Sequence, residues 1–142
     1  MRITSTGRYA LRAVLALARM GGNGMVSISS LSEAEDISSM FLDQIFNRLR
    51  KAGIVKSSRG PGGGYAFNRP LDSISVYEIL NVAGEEMAVL PCDRSGGECG
   101  RQGECIAHQV IVSATETLNS YLDSITLKMV LEDKKFQPSP IN

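Results

Sequence analysis

The stretch Ser57-Ser58-Arg59-Gly60-Pro61-Gly62-Gly63-Gly64 constrains this chain more than any other. That density of glycine and proline breaks helices and interrupts sheet ladders, so the chain must turn here. Ile54-Val55-Lys56-Ser57 before it and Tyr65-Ala66-Phe67 after it have the β-branched and aromatic content of short strands. The segment is therefore expected to be a β-hairpin connected through Ser58–Gly64. A phosphate-cradling loop is the rival for such a run, but RGPGGGY lacks the lysine and the following helix that such loops need.

The residues before the hairpin give it a context. Ser38 or Ser39 can cap a helix MFLDQIFNRLRKA, which Gly53 closes. Phe41, Leu42, Ile45, Phe46 and Leu49 fall on its inner face. Met40, Asp43, Gln44, Asn47, Arg48 and Lys51 stay outside. Ahead of it, Ser30 and Glu33 form a capping box for a short helix, LSEAED. A first helix is expected from about Ser5 to Met20, with Leu11, Val14, Leu15 and Ala18 as its apolar stripe. Two helices on a tight turn, followed by a hairpin, make a winged helix-turn-helix.

Ser75-Val76-Tyr77-Glu78 is a second capping box, opening a helix that ends at Ala83 before Gly84. From Cys105 onward Ile111, Ala114, Leu118, Tyr121, Leu122, Ile125 and Met129 recur at helical spacing. That stripe is long for a small domain and serves either an internal core or a dimer seam. Thr126 can cap a short final helix, LKMVLED. The expected fold class is mainly α with a small β-hairpin wing: a winged helix-turn-helix plus a long C-terminal dimerisation helix. The expected units are a DNA-binding domain over 1–84, a loop over 85–104, the dimerisation and terminal helices over 105–133, and a disordered tail over 134–142.

The 142 residues carry no net charge, which alone argues against a nucleic-acid partner. The distribution argues for one. Residues 1–70 hold ten Lys/Arg against four Asp/Glu, and residues 71–142 hold five against eleven. Only the basic half, which contains the wing, is suited to a polyanion. No segment reaches the length of a membrane span, and Arg8, Arg12 and Arg19 interrupt the opening apolar run, so it reads as an amphipathic helix. A cytoplasmic, reducing location is expected, where three cysteines do not serve as structural disulfides.

Those cysteines and the single histidine are packed together as PCDRSGGECGRQGECIAH. Cys92, Cys99, Cys105 and His108 offer four soft or borderline ligands, enough for one tetrahedral metal or a small iron–sulfur cluster. The spacing C-x6-C-x5-C-x2-H lacks the paired C-x2-C knuckles of structural zinc sites. Widely spaced thiols on a glycine-rich loop suit a [2Fe–2S] cluster better, with zinc or an unmetallated thiol switch as alternatives.

MRITSTGRYALRA, FLDQIFNRLRKAGIV, SRGPGGGY, the three-cysteine loop with its histidine, and ITLKMVL together resemble the IscR-type regulators of iron–sulfur cluster biogenesis. These belong to a superfamily of dimeric winged-helix repressors with NsrR, RsrR and CymR, and the resemblance spans nearly the whole chain. It implies a cytoplasmic homodimer that regulates transcription, as a repressor, on double-stranded DNA with a near-palindromic operator. It also implies a [2Fe–2S] cluster on Cys92, Cys99, Cys105 and His108. NsrR-like relatives hold a [4Fe–4S] cluster with an aspartate where this chain has Arg8, and RsrR-like relatives use acidic and histidine ligands on the first helix, where it has Arg8 and Arg12. The gap from Cys92 to Cys99 is one residue longer than in the best-known IscR proteins.

The expected DNA-facing set is Arg2, Tyr9, Ser39, Met40, Asp43, Gln44, Arg48, Lys51, Ser57, Arg59, Gly60 and Pro61. Gln44 suits adenine and Asp43 a cytosine amino group in the major groove. Arg48, Lys51, Arg2 and Tyr9 suit phosphates, and Arg59 suits a narrow minor groove. The expected dimer seam is Ile111, Ala114, Leu118, Tyr121, Leu122 and Ile125. An electron-transfer or cluster-carrier protein would need the cysteines but neither the basic helix nor the wing. A zinc-stabilised regulator without sensing is the third reading. No enzymatic constellation stands out, since the one histidine is already claimed.

Overall fold

The computed structural model describes residues 1–22, 24–89, 101 and 104–136. Their elements run α1 (Ser5–Gly21), α2 (Ile28–Glu35), α3 (Ser39–Lys51), β1 (Val55–Ser58), β2 (Gly64–Phe67), α4 (Val76–Ala83), α5 (Ile106–Ser124) and α6 (Leu127–Glu132). Each of these α-helices starts on a side-chain acceptor. Thr4, Ser27, Ser38, Ser75, Cys105 and Thr126 accept from the backbone N–H of Thr6, Ser30, Phe41, Glu78, His108 and Met129. These bonds satisfy amides that have no partner within the helix.

One start differs from the sequence expectation. The second helix is capped by Ser27 and begins at Ile28, ahead of the Ser30 capping box. Ser27 Oγ already accepts the Ser30 N–H at 3.1 Å, so Ser30 lies inside the first turn.

The core forms where α1, α2 and α3 converge under the hairpin. Val14, Leu17, Leu31, Leu42, Phe46 and Leu49 are fully buried there, joined by Ile54, Ile74 and Ile79. The wing is antiparallel, pairing Val55 with Phe67 and Ser58 with Gly64. Val26 adds a third rung, exchanging backbone hydrogen bonds with Tyr65 at 2.8 and 2.9 Å. This contact brings the Val26 carbonyl against Gly64, where an added Cβ would lie 2.2 Å from that oxygen. With its φ of +143°, position 64 accepts glycine alone without strain.

The C-terminal segment is not a separate layer. Between α4 and α6, Val76 N–H donates to the Ile125 carbonyl and Leu127 N–H to the Ile74 carbonyl, both at 2.9 Å. Leu127 is buried in the main core. Ile125 packs with Val76, Leu80 and Met87 inside the chain, so it is a core residue rather than a surface seam residue. Lys134–Phe136 form a 3-10 turn whose Phe136 packs on the same cluster, so the expected disordered tail does not begin at Lys134. The rest of that tail, 137–142, and most of the cysteine loop, with Cys92 and Cys99, lie outside the described residues. Among the described residues no helix is long and apolar enough to cross a membrane.

Candidate nucleic-acid interface and metal centre

A cleft of about 650 Å³ opens between α3 and the wing. Asp43, Gln44 and Asn47 line one wall, and Ser57, Ser58, Arg59 and Tyr65 the other. Helical spacing puts Met40, Asp43, Gln44 and Asn47 on one face of α3, opposite the buried Leu42, Ile45, Phe46 and Leu49. Ser39, Met40, Asp43, Gln44, Lys51, Ser57, Arg59, Gly60 and Pro61 are all exposed. The acceptors of α3 and the guanidinium of Arg59 thus border the same opening.

Three of the expected phosphate contacts have internal work. Arg48 Nη1 donates to the Ala83 carbonyl at 2.6 Å, closing the C-terminus of α4. A cation suits that end of a helix. Tyr9 is half-buried, edge-on to Phe41 with ring centroids 5.6 Å apart, and Arg12 lies over its ring. Arg12 also pairs with Glu35 at 3.0 Å, tying α1 to α2. Arg2 is exposed and bridges Glu86 through its backbone.

Sequence reasoning missed Glu85. It is 7% exposed, and its carboxylate accepts from the Thr4 N–H at 2.9 Å, the Thr4 hydroxyl at 2.5 Å and the Gly7 N–H at 2.7 Å. A residue after α4 therefore caps α1. A Cβ at position 7 would meet Glu85 Cγ at 2.7 Å, which is why Gly7 stands there. Burial by itself pushes the Glu85 carboxyl up. The hydrogen bonds from Thr4 and Gly7, with the Arg2 charge, outweigh it and hold the pKa below the ordinary 4.5. No local signal announces such a cap, because its partners lie 78 and 81 positions away in sequence.

At the start of α5, Cys105 Sγ accepts the His108 N–H at 3.4 Å. The thiol and the imidazole therefore leave the same helical turn, and both residues are half-buried. Among the described residues no three His, Cys, Asp or Glu side chains gather as a metal site. A thiol and an imidazole three positions apart at a helix start fit zinc or an iron–sulfur group, and the α5 N-terminus favours a centre of negative charge.

Beyond Cys105, α5 is apolar on more than its inward face. Ile106, Val110, Ala114, Leu118 and Tyr121 follow one another at spacings of three and four and are all exposed. Ile111 and Leu122 are half-buried at the edge of that ridge. Ile106 and Val110 extend the expected seam; their i, i+4 spacing was the available signal.

Comparison with known proteins agrees with this architecture. The family model Rrf2, described as iron-dependent transcriptional regulator, matches residues 3–133. The HTH-type transcriptional regulator IscR of Klebsiella pneumoniae is 38% identical over 135 residues, covering 95% of this chain and 82% of that protein. The solved structure of T. potens IscR is similar with a TM-score of 0.74 and 32% identity, over 99% of this chain and 94% of that one. The B. subtilis global cysteine regulator CymR is similar with a TM-score of 0.75 and 29% identity, over 90% and 94%. With its helices, its two-stranded wing and a match over nearly its full length, this chain belongs to the Rrf2 family of transcriptional regulators and is IscR-like.

Proposed function

We propose that the chain is a homodimeric, DNA-binding repressor that follows iron–sulfur status, redox state or nitric oxide. Cys92, Cys99, Cys105 and His108 would hold a [2Fe–2S] cluster. The observation that carries this reading is the shared helical turn of Cys105 and His108. When bound, such a cluster supplies an oxidant-sensitive centre whose binding free energy orders the loop around it. An imidazole ligand is protonatable, which makes that centre more labile than one held by four thiolates.

The segment entering the cysteine loop is tied to α1, α3 and α5. Ala83 receives Arg48 of α3, Glu85 caps α1, and Met87 O accepts from Asn119 Nδ2 of α5 at 3.2 Å. Order in the loop therefore has short mechanical routes to the recognition helix, to Arg2 and to the exposed α5 ridge. Two copies joined along that ridge would present two α3 helices to a near-palindrome, with half-sites about 10 bp or a multiple apart. Gln44 and Asp43 would read base edges, Lys51 a phosphate, and Arg59 with Gly60 and Pro61 the minor groove.

The test is anaerobic purification, with absorption and Mössbauer spectra, followed by footprinting with and without the cluster. The expected result is a coloured protein whose footprint changes when the cluster is removed. Colourless protein carrying stoichiometric zinc overturns the sensor reading. In the same binding assay affinity should fall steeply with salt. Arg59→Ala should reduce the slope of log K against log salt by about one and weaken preference for A·T-rich minor grooves. An unchanged slope removes Arg59 from the interface.

A further inference from the structure

Met40 stands out on α3. It is 74% exposed, at the first turn of a helix whose other apolar residues, from Phe41 to Leu49, are buried or half-buried. It contributes nothing to the core, and it shares its face with Asp43, Gln44 and Asn47. A large apolar side chain held in water on an otherwise polar face gains free energy only when something apolar covers it. The first turn of a recognition helix is the part that reaches base edges. In the major groove the apolar feature there is the thymine C5-methyl group, which no other base of unmodified DNA carries. The flexible thioether of methionine adapts its shape to such a methyl and offers no strong hydrogen-bonding group to compete with Gln44.

We propose that Met40 is a specificity-determining residue that selects thymine by packing on its methyl group, at a position neighbouring the base read by Gln44. This deepens the reading of α3 as the recognition helix and rests on it. Gln44 and Asp43 sort bases by hydrogen bonds, whereas Met40 sorts them by an apolar surface, so the two selections are separable by chemistry.

Deoxyuridine separates them, because it differs from thymidine only in lacking the methyl. An operator is first selected with the full-length protein from a random duplex library. Each thymine of the half-site, on either strand, is then replaced in turn by deoxyuridine in both half-sites, and affinity is measured. One position should weaken wild-type binding by about 3–5-fold per half-site, the factor for one buried methyl. Met40→Ser should bind the thymine and uracil duplexes equally, and Met40→Leu should keep the discrimination. Thermal melting of both variants should match wild type, since the side chain is exposed. If the uracil penalty is the same in wild type and Met40→Ser at every position, or the selected half-site has no thymine facing α3, the proposal is overturned while α3 stands as the reader. If Gln44→Ala also leaves operator choice unchanged, the reading of α3 itself falls, and the proposal with it.

Discussion

Val110→Glu combined with Leu118→Glu is expected to give a folded monomer that has lost about 10²–10⁴-fold in affinity for a two-half-site operator. Val110 is 61% exposed and Leu118 41%, beside Ile106 at 76% and Tyr121 at 47%. Four large apolar residues in a row on one helix face make a contiguous patch of the kind that marks an interaction site. The inward face of α5 is already used, with Thr115 buried and Leu122 packed on the cluster of Val76, Leu80, Met87 and Ile125. Carboxylates on the outer ridge leave that packing intact, so melting of the monomer should change little. A paired ridge would have to bury two of them on each copy without partners, and burying unpaired charge is prohibitive. Sedimentation velocity reads the mass, and a binding assay on whole and half operators reads the lost linkage. A double variant that sediments as wild type and keeps full operator affinity removes the ridge as the seam.

Glu85→Ala is expected to destabilise the fold by about 2–4 kcal/mol, because two backbone N–H groups and a hydroxyl lose their acceptor. Glu85→Gln sharpens the test. Its amide oxygen can still take the Gly7 N–H, but its NH₂ then faces the Thr4 N–H, donor against donor. The charge also makes a prediction in pH. The folded-state pKa of Glu85 lies below the ordinary 4.5, so its contribution is fully present above that value and is lost as pH falls through the lower, folded value. Denaturation followed from about pH 7 down to about pH 3 should show wild type losing stability at the acid end more steeply than Glu85→Gln, and the two curves should converge there. Parallel curves would mean that the carboxylate charge does not hold α1. The same variant should loosen the α1 N-terminus and lower DNA affinity, since Arg2 and Thr4 sit on the capped segment.

Helix starts and stops were legible because they rest on near neighbours. Ser75 and Thr126 cap where their sequence context places them, Ser38 is the one of two candidate serines that caps α3, and Gly84 closes α4 with a φ of +93°. The hairpin was legible for the same reason, since its glycines act on their own backbone. The sequence places the second helix late because Ser27 and Ser30 compete as caps and the S-x-x-E pattern at Ser30 draws the boundary inward. Met40, Asp43 and Gln44 were found as an exposed face because helical period alone separates them from Leu42, Ile45 and Phe46.

Charge and side-chain type could not reveal which residues have partners at long range. Arg48 and Arg59 look alike in sequence. Both are exposed, but only the packing of α4 against α3 gives Arg48 the Ala83 carbonyl, while Arg59 stands on the wing beside the cleft. Ile125 and Leu118 belong to one apolar periodicity. The return of the chain through Ile125 to Ile74 and Val76 buries the first and leaves the second outside. Glu85 is the extreme case: one of two adjacent glutamates just past a helix end, indistinguishable from a solvated one until α1 is laid against the end of α4. Local covalent geometry and periodicity are written in neighbouring residues, so the elements and the exposed face of α3 could be read directly. Burial and long-range hydrogen bonds depend on which elements meet, and that emerges only when the whole chain is packed.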